Sequence, residues 1–433
     1  MTSRVLLDLR PLTQSPAFAR LWVGSTLGGL GGQLTLTAVM LHMYHLTGST
    51  FAVSMIAVAG LLPLIAAGLY GGMLADWFDR RAVALVSASA TWLSTALLAV
   101  LAWTGAVDAA WLYALSIVNA AANSIVSATK MAITPRLVGA ALIPAAAALN
   151  GITVGLMVMV GPALGGLLVA LFGYPVTYTL DVILMLSLFL GLWTLPRLRP
   201  EGAAVRPGLS ALADGWRFLR RAPNIRLQFV LDIVAMTFGN PLALFPAIGA
   251  VVLGGGEITT GLLVAANAVG AFASSLFSGR ISSYRRHGRG IELAIRAFGI
   301  ATTAFGLVLV AAAFLPDDGA GPRVGLIALA MLCLAATGAA DNISSIYRQT
   351  MLQQAVPDAI RGRLQGVFIV VVTGGPRLGA LYAGGLATLA AAAPGGGTWL
   401  PPLLGGMLVI AITTALVRRA PRFRAYDAAA PVL

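Results

Sequence analysis

Twelve mostly apolar segments, each long enough to cross a hydrocarbon core of about 30 Å as a helix, follow one another along the chain. They lie near 18–45, 50–75, 82–104, 109–134, 142–171, 174–195, 224–253, 257–280, 290–315, 322–349, 364–392 and 398–418. The runs are continuous and not alternating, which excludes a membrane β-barrel. No small-residue cleavage site follows the first of them, so it reads as a retained helix and not as a leader. Charged residues are only 10% of the chain, against about 25% in soluble domains. With 58% hydrophobic residues and a mean hydropathy of +0.89, too little polar surface remains to face water. The fold class this predicts is an all-α membrane protein whose main partner is the lipid bilayer.

The net charge of +13 comes from 28 basic residues that stand almost entirely between the apolar runs. Arg4, Arg10 and Arg20 precede or open the first span, Arg80 and Arg81 follow the second, and Lys130 and Arg136 stand at the exit of the fourth. Seven arginines from Arg197 to Arg226 follow the sixth, and Arg418 to Arg424 end the twelfth. The opposite set of gaps holds only Arg323. By the positive-inside rule both termini and every even-to-odd connection are expected in the cytoplasm. Charge placed in this way reports orientation and not nucleic-acid binding. The single Cys333 sits in an apolar run and excludes a disulfide framework or a thiolate metal cluster.

The longest gap divides the spans six and six. The expected organisation is a bundle over 1–195, a cytoplasmic linker over 196–223, a second bundle over 224–420 and a tail over 421–433. Internal symmetry supports it: GPALGG, Gly161 to Gly166, returns as GPRLGA, Gly375 to Ala380, and Lys130 with Val138 returns as Arg348 with Val356. Two related six-helix halves predict a secondary transporter with its substrate site near mid-membrane.

Charges inside spans are costly, at about 2.5–3.5 kcal/mol each on insertion scales, and are functional candidates. Arg377 falls well inside the eleventh span, and its repeat mate is Ala163; it is read either as binding a substrate anion or carboxylate, or as one member of a structural ion pair. Asp232 lies ahead of Asn240-Pro241, where the seventh helix is expected to break. It either exchanges protons or pairs permanently with an arginine, and Arg377 is the partner expected for it. Asp341 and Arg348 are seven apart on one helix face and suit a gating ion pair. Gln33, Asn123, Asp181, Asn119 and Asn267 are candidates to line the same cavity, the amides also suiting interhelical hydrogen bonds. His42 and His45, one turn apart, have no acid or cysteine nearby in sequence, so an interface role is preferred to a metal site. No cofactor or metal is expected.

Several blocks resemble the major facilitator superfamily. GGMLADWFDRR, Gly71 to Arg81, is similar to its loop motif GxLaDRxGRR, departing at Trp77 and Asp79. The resemblance implies a cytoplasmic gate locked by Asp76, Arg80 and Arg81. GLMVMVGPALGG, Gly155 to Gly166, resembles the antiporter motif of exporters, with Met157 in place of one glycine. Gly161, Pro162, Gly165 and Gly166, with Gly375 and Pro376 in the repeat, would then bend helices and let them approach closely. LTGST at 46–50, the run 232–246 and the run 338–385 resemble the enterobactin-exporter-like branch, although Ala380 stands where that branch usually has an acid. The resemblance implies a proton-coupled monomeric exporter of the inner membrane. Its substrate would be an amphipathic, anionic small molecule such as a catecholate siderophore or a drug-like compound. Nutrient uptake by the same fold is the alternative within transport, and an intramembrane enzyme or the membrane half of an ATP-driven pump lies outside it. Lys130 follows no glycine-rich phosphate loop, so ATP is not expected as a partner, and no HExxH supports metalloenzyme chemistry.

Overall fold

The structure, a computed structural model, describes residues 8–139, 142–198, 217–277, 281, 284–315, 322–355 and 358–427, with backbone alone at 68, 69, 71–73, 75, 76, 144, 353–355, 358–370 and 373. Most of the expected linker, 196–223, and the end of the tail lie outside these residues. Among the described residues every regular element is helical. In chain order they are α1 (Arg10–Gln14), α2 (Pro16–Thr47), α3 (Thr50–Ala59), α4 (Leu61–Trp77), α5 (Arg80–Thr104), α6 (Ala109–Val138) and α7 (Ile143–Trp193). There follow α8 (Pro223–Gly239), α9 (Gly256–Ser275), α10 (His287–Phe314), α11 (Val324–Ala355), α12 (Asp358–Leu389), α13 (Leu400–Arg418) and the single turn α14 (Pro421–Arg424). Nine segments of the described residues are long and apolar enough to cross a membrane.

These helices are inside out relative to a soluble protein. Val86, Leu93 and Val100 on α5, and Leu293, Ile300, Leu307 and Phe314 on α10, recur every seventh residue and are all exposed. The same two helices bury Ser87, Thr91, Ser94 and Thr95, and Glu292 and Thr302. In water such apolar stripes would aggregate; against lipid tails they cost nothing, while the polar groups find partners between helices.

Backbone packing divides the chain into two compact units, Met1–His42 with Ala59–Pro207 and Met43–Val58 with Gly208–Leu433. In the first, the long α7 turns at Gly173, where φ of 78° and ψ of 177° suit glycine alone. The expected fifth and sixth spans are its two arms. The first arm lies on α2: a Cβ at Gly161 would strike the Gln33 side chain, and one at Gly165 would come within 3.1 Å of Thr37 Cβ. The second arm carries Asp181, 2% exposed, whose Oδ2 accepts from Thr35 Oγ1 at 2.6 Å.

In the second unit α8 ends at Gly239, and Asn240 is extended. The Asn240 side chain accepts from Leu242 N at 3.2 Å, and the chain re-enters helix through 3₁₀ and π turns up to Val252. Here is the break expected at Asn240-Pro241, since proline supplies no N–H to continue the ladder. α12 packs on α8 as α7 packs on α2: a Cβ at Gly375 would stand 2.8 Å from Met236 Cβ, and one at Gly379 would meet the Met236 carbonyl. Residues 43–58, expected in the first bundle, contribute Ser54, which lies where a Cβ of Gly384 would have to go. The described part of the tail, 421–427, is docked. Phe423 and Tyr426 are buried, Arg424 pairs with Glu292 of α10 at 2.9 Å, and Gly288 leaves room for the Phe423 carbonyl.

Candidate functional site

The candidate site is built in the second unit, where α8 and α11 bring together three charges from inside two apolar segments. Seven residues make nearly two helical turns, so Asp341 and Arg348 project from one face of α11, and Arg348 Nη2 reaches Asp341 Oδ1 at 3.2 Å. The other terminal nitrogen, Nη1, pairs with Asp232 Oδ1 on α8. One guanidinium is therefore shared by two carboxylates. The Arg348 and Asp232 side chains are 6% and 4% exposed, whereas Asp341 is 40% exposed. The three groups together carry one cation for two acids, so with both acids ionised the cluster keeps a net negative charge.

This geometry corrects the expectation that Asp232 would pair with Arg377. Arg348 takes that place, because α11 packs against α8 at the level of Asp232. Arg377 stands on α12 directly after Pro376, half-buried, with its Nε atom inside the protein. Gln33 is half-buried beneath Gly161, and Asn123 is exposed on α6. The amides of Asn119 and Asn267 bond other helices, Asn119 to Ser94 and Thr95 at 3.3 and 3.2 Å and Asn267 to Thr337 at 3.0 Å. His42 stacks on Tyr174 at 4.0 Å and shares a 3.2 Å hydrogen bond with the Tyr178 hydroxyl, while His45 is exposed.

At the expected gate the Asp76 side chain lies outside the described residues. Arg80 Nη1 donates to the Ala132 carbonyl of α6 at 3.0 Å, and the Arg81 guanidinium lies 5.7 Å from the centre of the Trp193 ring. Asp79, a departure from the resembled motif, has a local purpose: its carboxylate accepts from Arg81 N at 2.8 Å and caps α5. An acid directly before a helix is the signal that could have revealed this. Asp79→Ala should cost about 1 kcal/mol, read as a lower melting temperature of the purified protein; an unchanged melt would reject the cap.

The site's charges lie within helices that a family description accounts for. The model of the transmembrane secretion effector family, of major facilitator type, matches residues 8–429. The chain belongs to that family. This secretion effector family member is 27% identical, over 417 residues and 95% of both chains, to proteins named enterobactin exporter from Shigella boydii serotype 18 and Escherichia coli O1:K1. Among solved structures it is similar to the nucleoside transporter NupG, with a TM-score of 0.68, 16% identity and coverage of 93% of this chain and 98% of that one. A D-xylose-proton symporter also has a TM-score of 0.68, with 14% identity and coverage of 96% and 99%. Those structural likenesses show the fold. The family member is a multi-pass membrane protein and a secondary transporter.

Proposed function

We propose that this protein is a proton-coupled exporter of the cell's inner membrane, with twelve spans in two six-helix repeats, both termini cytoplasmic, and alternating access as its mechanism. The cargo is an amphipathic anion, a catecholate siderophore or a compound of similar shape and charge. The observation that carries the reading is the sharing of Arg348 between the buried Asp232 and the half-exposed Asp341. A cation bridging two acids has two stable arrangements, and a proton arriving on the more accessible acid selects between them. In this reading Asp232 is the fixed partner, Asp341 takes and releases the proton, and Arg377 meets one anionic group of the cargo. Gln33 and Asn123 contact the rest of it, Asp76, Arg80 and Arg81 hold the gate, and the protein works as a monomer. The names of the enterobactin exporters support both the direction and the class of cargo.

Inverted vesicles with an imposed proton gradient and a radiolabelled catecholate test this. Asp341→Asn should abolish gradient-driven accumulation while preserving exchange of cargo across the membrane without a gradient. Gradient-driven accumulation at the wild-type level in Asp341→Asn would overturn the assignment of the proton to that residue. Accumulation by wild-type protein in right-side-out vesicles only would overturn export.

A further inference from the structure

Arg348 is neutralised by two acids; among the described residues its counterpart in the first unit has no acid partner. The interval of 218 positions that relates Lys130 to Arg348 lays α6 on α11. Burial follows the same register, with Ala122, Val126, Thr129 and Ile133 buried on α6 and Ala340, Ser344, Tyr347 and Met351 buried at the matching places on α11. In this register Asn123 stands for Asp341. The counterpart of Asp232 follows from the matched helix crossings. Gln33 lies under Gly161 as Met236 lies under Gly375, and Thr37 lies under Gly165 as Asn240 lies under Gly379. One turn before Gln33 is Gly29, and one turn before Met236 is Asp232. Both acids of the second unit are thus replaced by uncharged residues in the first, while the cation is kept.

Lys130 is half-buried inside α6, and its side chain has no ion pair or hydrogen bond among the described residues. Of the acids on the helices packed around it, those with described side chains are engaged elsewhere: Asp79 caps α5, Asp108 caps α6 through Trp111 N, and Asp181 accepts from Thr35; the side chain of Asp76 on α4 lies outside the described residues. An ammonium in a spanning helix without a counter-charge is costly to desolvate, and a bound anion offsets that cost. We propose that Lys130 is the counter-cation for a carboxylate or catecholate group of the cargo, with the Asn123 amide, seven residues earlier on the same helix face, as a second donor. That the anion is cargo rests on the exporter reading; the anion site itself rests on the repeat register, which puts Asn123 and Gly29 where the second unit has Asp341 and Asp232.

Lys130 is the only lysine in the sequence. Reductive methylation with ¹³C-formaldehyde therefore labels it and the amino terminus alone, and leaves its charge in place. The full chain in detergent micelles is titrated with 2,3-dihydroxybenzoate and with its neutral amide, 2,3-dihydroxybenzamide. The Lys130 resonance should shift saturably with the benzoate and not with the amide. Asn123→Asp, which recreates the spacing of Asp341 and Arg348 and supplies an internal acid, should weaken benzoate binding about tenfold, a change of about 1.4 kcal/mol. By equilibrium dialysis Lys130→Arg should retain benzoate binding and Lys130→Gln should lose it. No benzoate-dependent shift, an equal shift with both compounds, or wild-type binding by Lys130→Gln would overturn the site. Proteoliposomes separate the two ideas: a titrating Lys130 signal without export removes the exporter reading alone, and undiminished export by Lys130→Gln removes the anion site alone.

Discussion

Arg348→Met will destabilise the second unit by about 3–5 kcal/mol. Asp232 is 4% exposed on its side chain and among the described residues takes its ion pair from Arg348 alone, so removing the guanidinium strands a carboxylate where neither water nor lipid can stabilise it. Much of the loss should return in the double variant Arg348→Met with Asp232→Leu, because replacing both members of a buried pair by apolar groups is far milder than breaking it. Thermal unfolding of the purified single and double variants measures both statements. A single variant that melts within about 1 kcal/mol of wild type would mean that Asp232 does not depend on this arginine. The same change in the first unit, Lys130→Met, breaks no pair among the described residues and should leave stability near the wild-type value.

Gly338→Leu will have an effect of similar size for a different reason. α9 and α11 cross at a reciprocal pair of glycines: a Cβ at Gly270 would fall on the Ala335 carbonyl, and one at Gly338 on the Asn267 carbonyl. Neither obstacle is a flexible side-chain end, so the helices themselves must move apart. That movement would part the Asn267–Thr337 hydrogen bond and carry Asp341 and Arg348 with α11. The expected cost is about 3 kcal/mol, with loss of transport in vesicles holding equal amounts of protein. Full stability together with full transport would show that the crossing tolerates a side chain.

What could be read in the sequence follows a physical divide. Spacing along a single helix is fixed by its pitch, so the shared face of Asp341 and Arg348 was legible from seven positions of separation. The proline in Asn240-Pro241 likewise announced the end of α8. Contacts between helices were not legible, because apolar segments of equal length carry no label for their neighbours. Asp232 was assigned to Arg377 by charge alone, and only the packing of α11 on α8 shows the partner to be Arg348. The glycines of GPALGG promised a close approach without naming Gln33 and Thr37 as what approaches. Asp79 was obscured by the resemblance itself, which made a helix cap look like a departure from a motif. Asp181, grouped with possible cavity residues, is buried and accepts a hydrogen bond from Thr35, a partner its spacing did not name.

The docking of the tail has a consequence for the order in which the molecule is made. The start of α10, with Gly288 and the buried Glu292, emerges from the ribosome long before Phe423, Arg424 and Tyr426, which cover it. Until those residues have been synthesised, Glu292 has, among the described residues, only Arg296, at 3.7 Å, as an ion-pair partner, and the surface around Gly288 is uncovered. The second unit therefore cannot finish hairpin by hairpin as its helices enter the bilayer. A reporter fused directly after Arg418 would report on a half-closed unit, whereas one fused after Asp427 would report on the completed one.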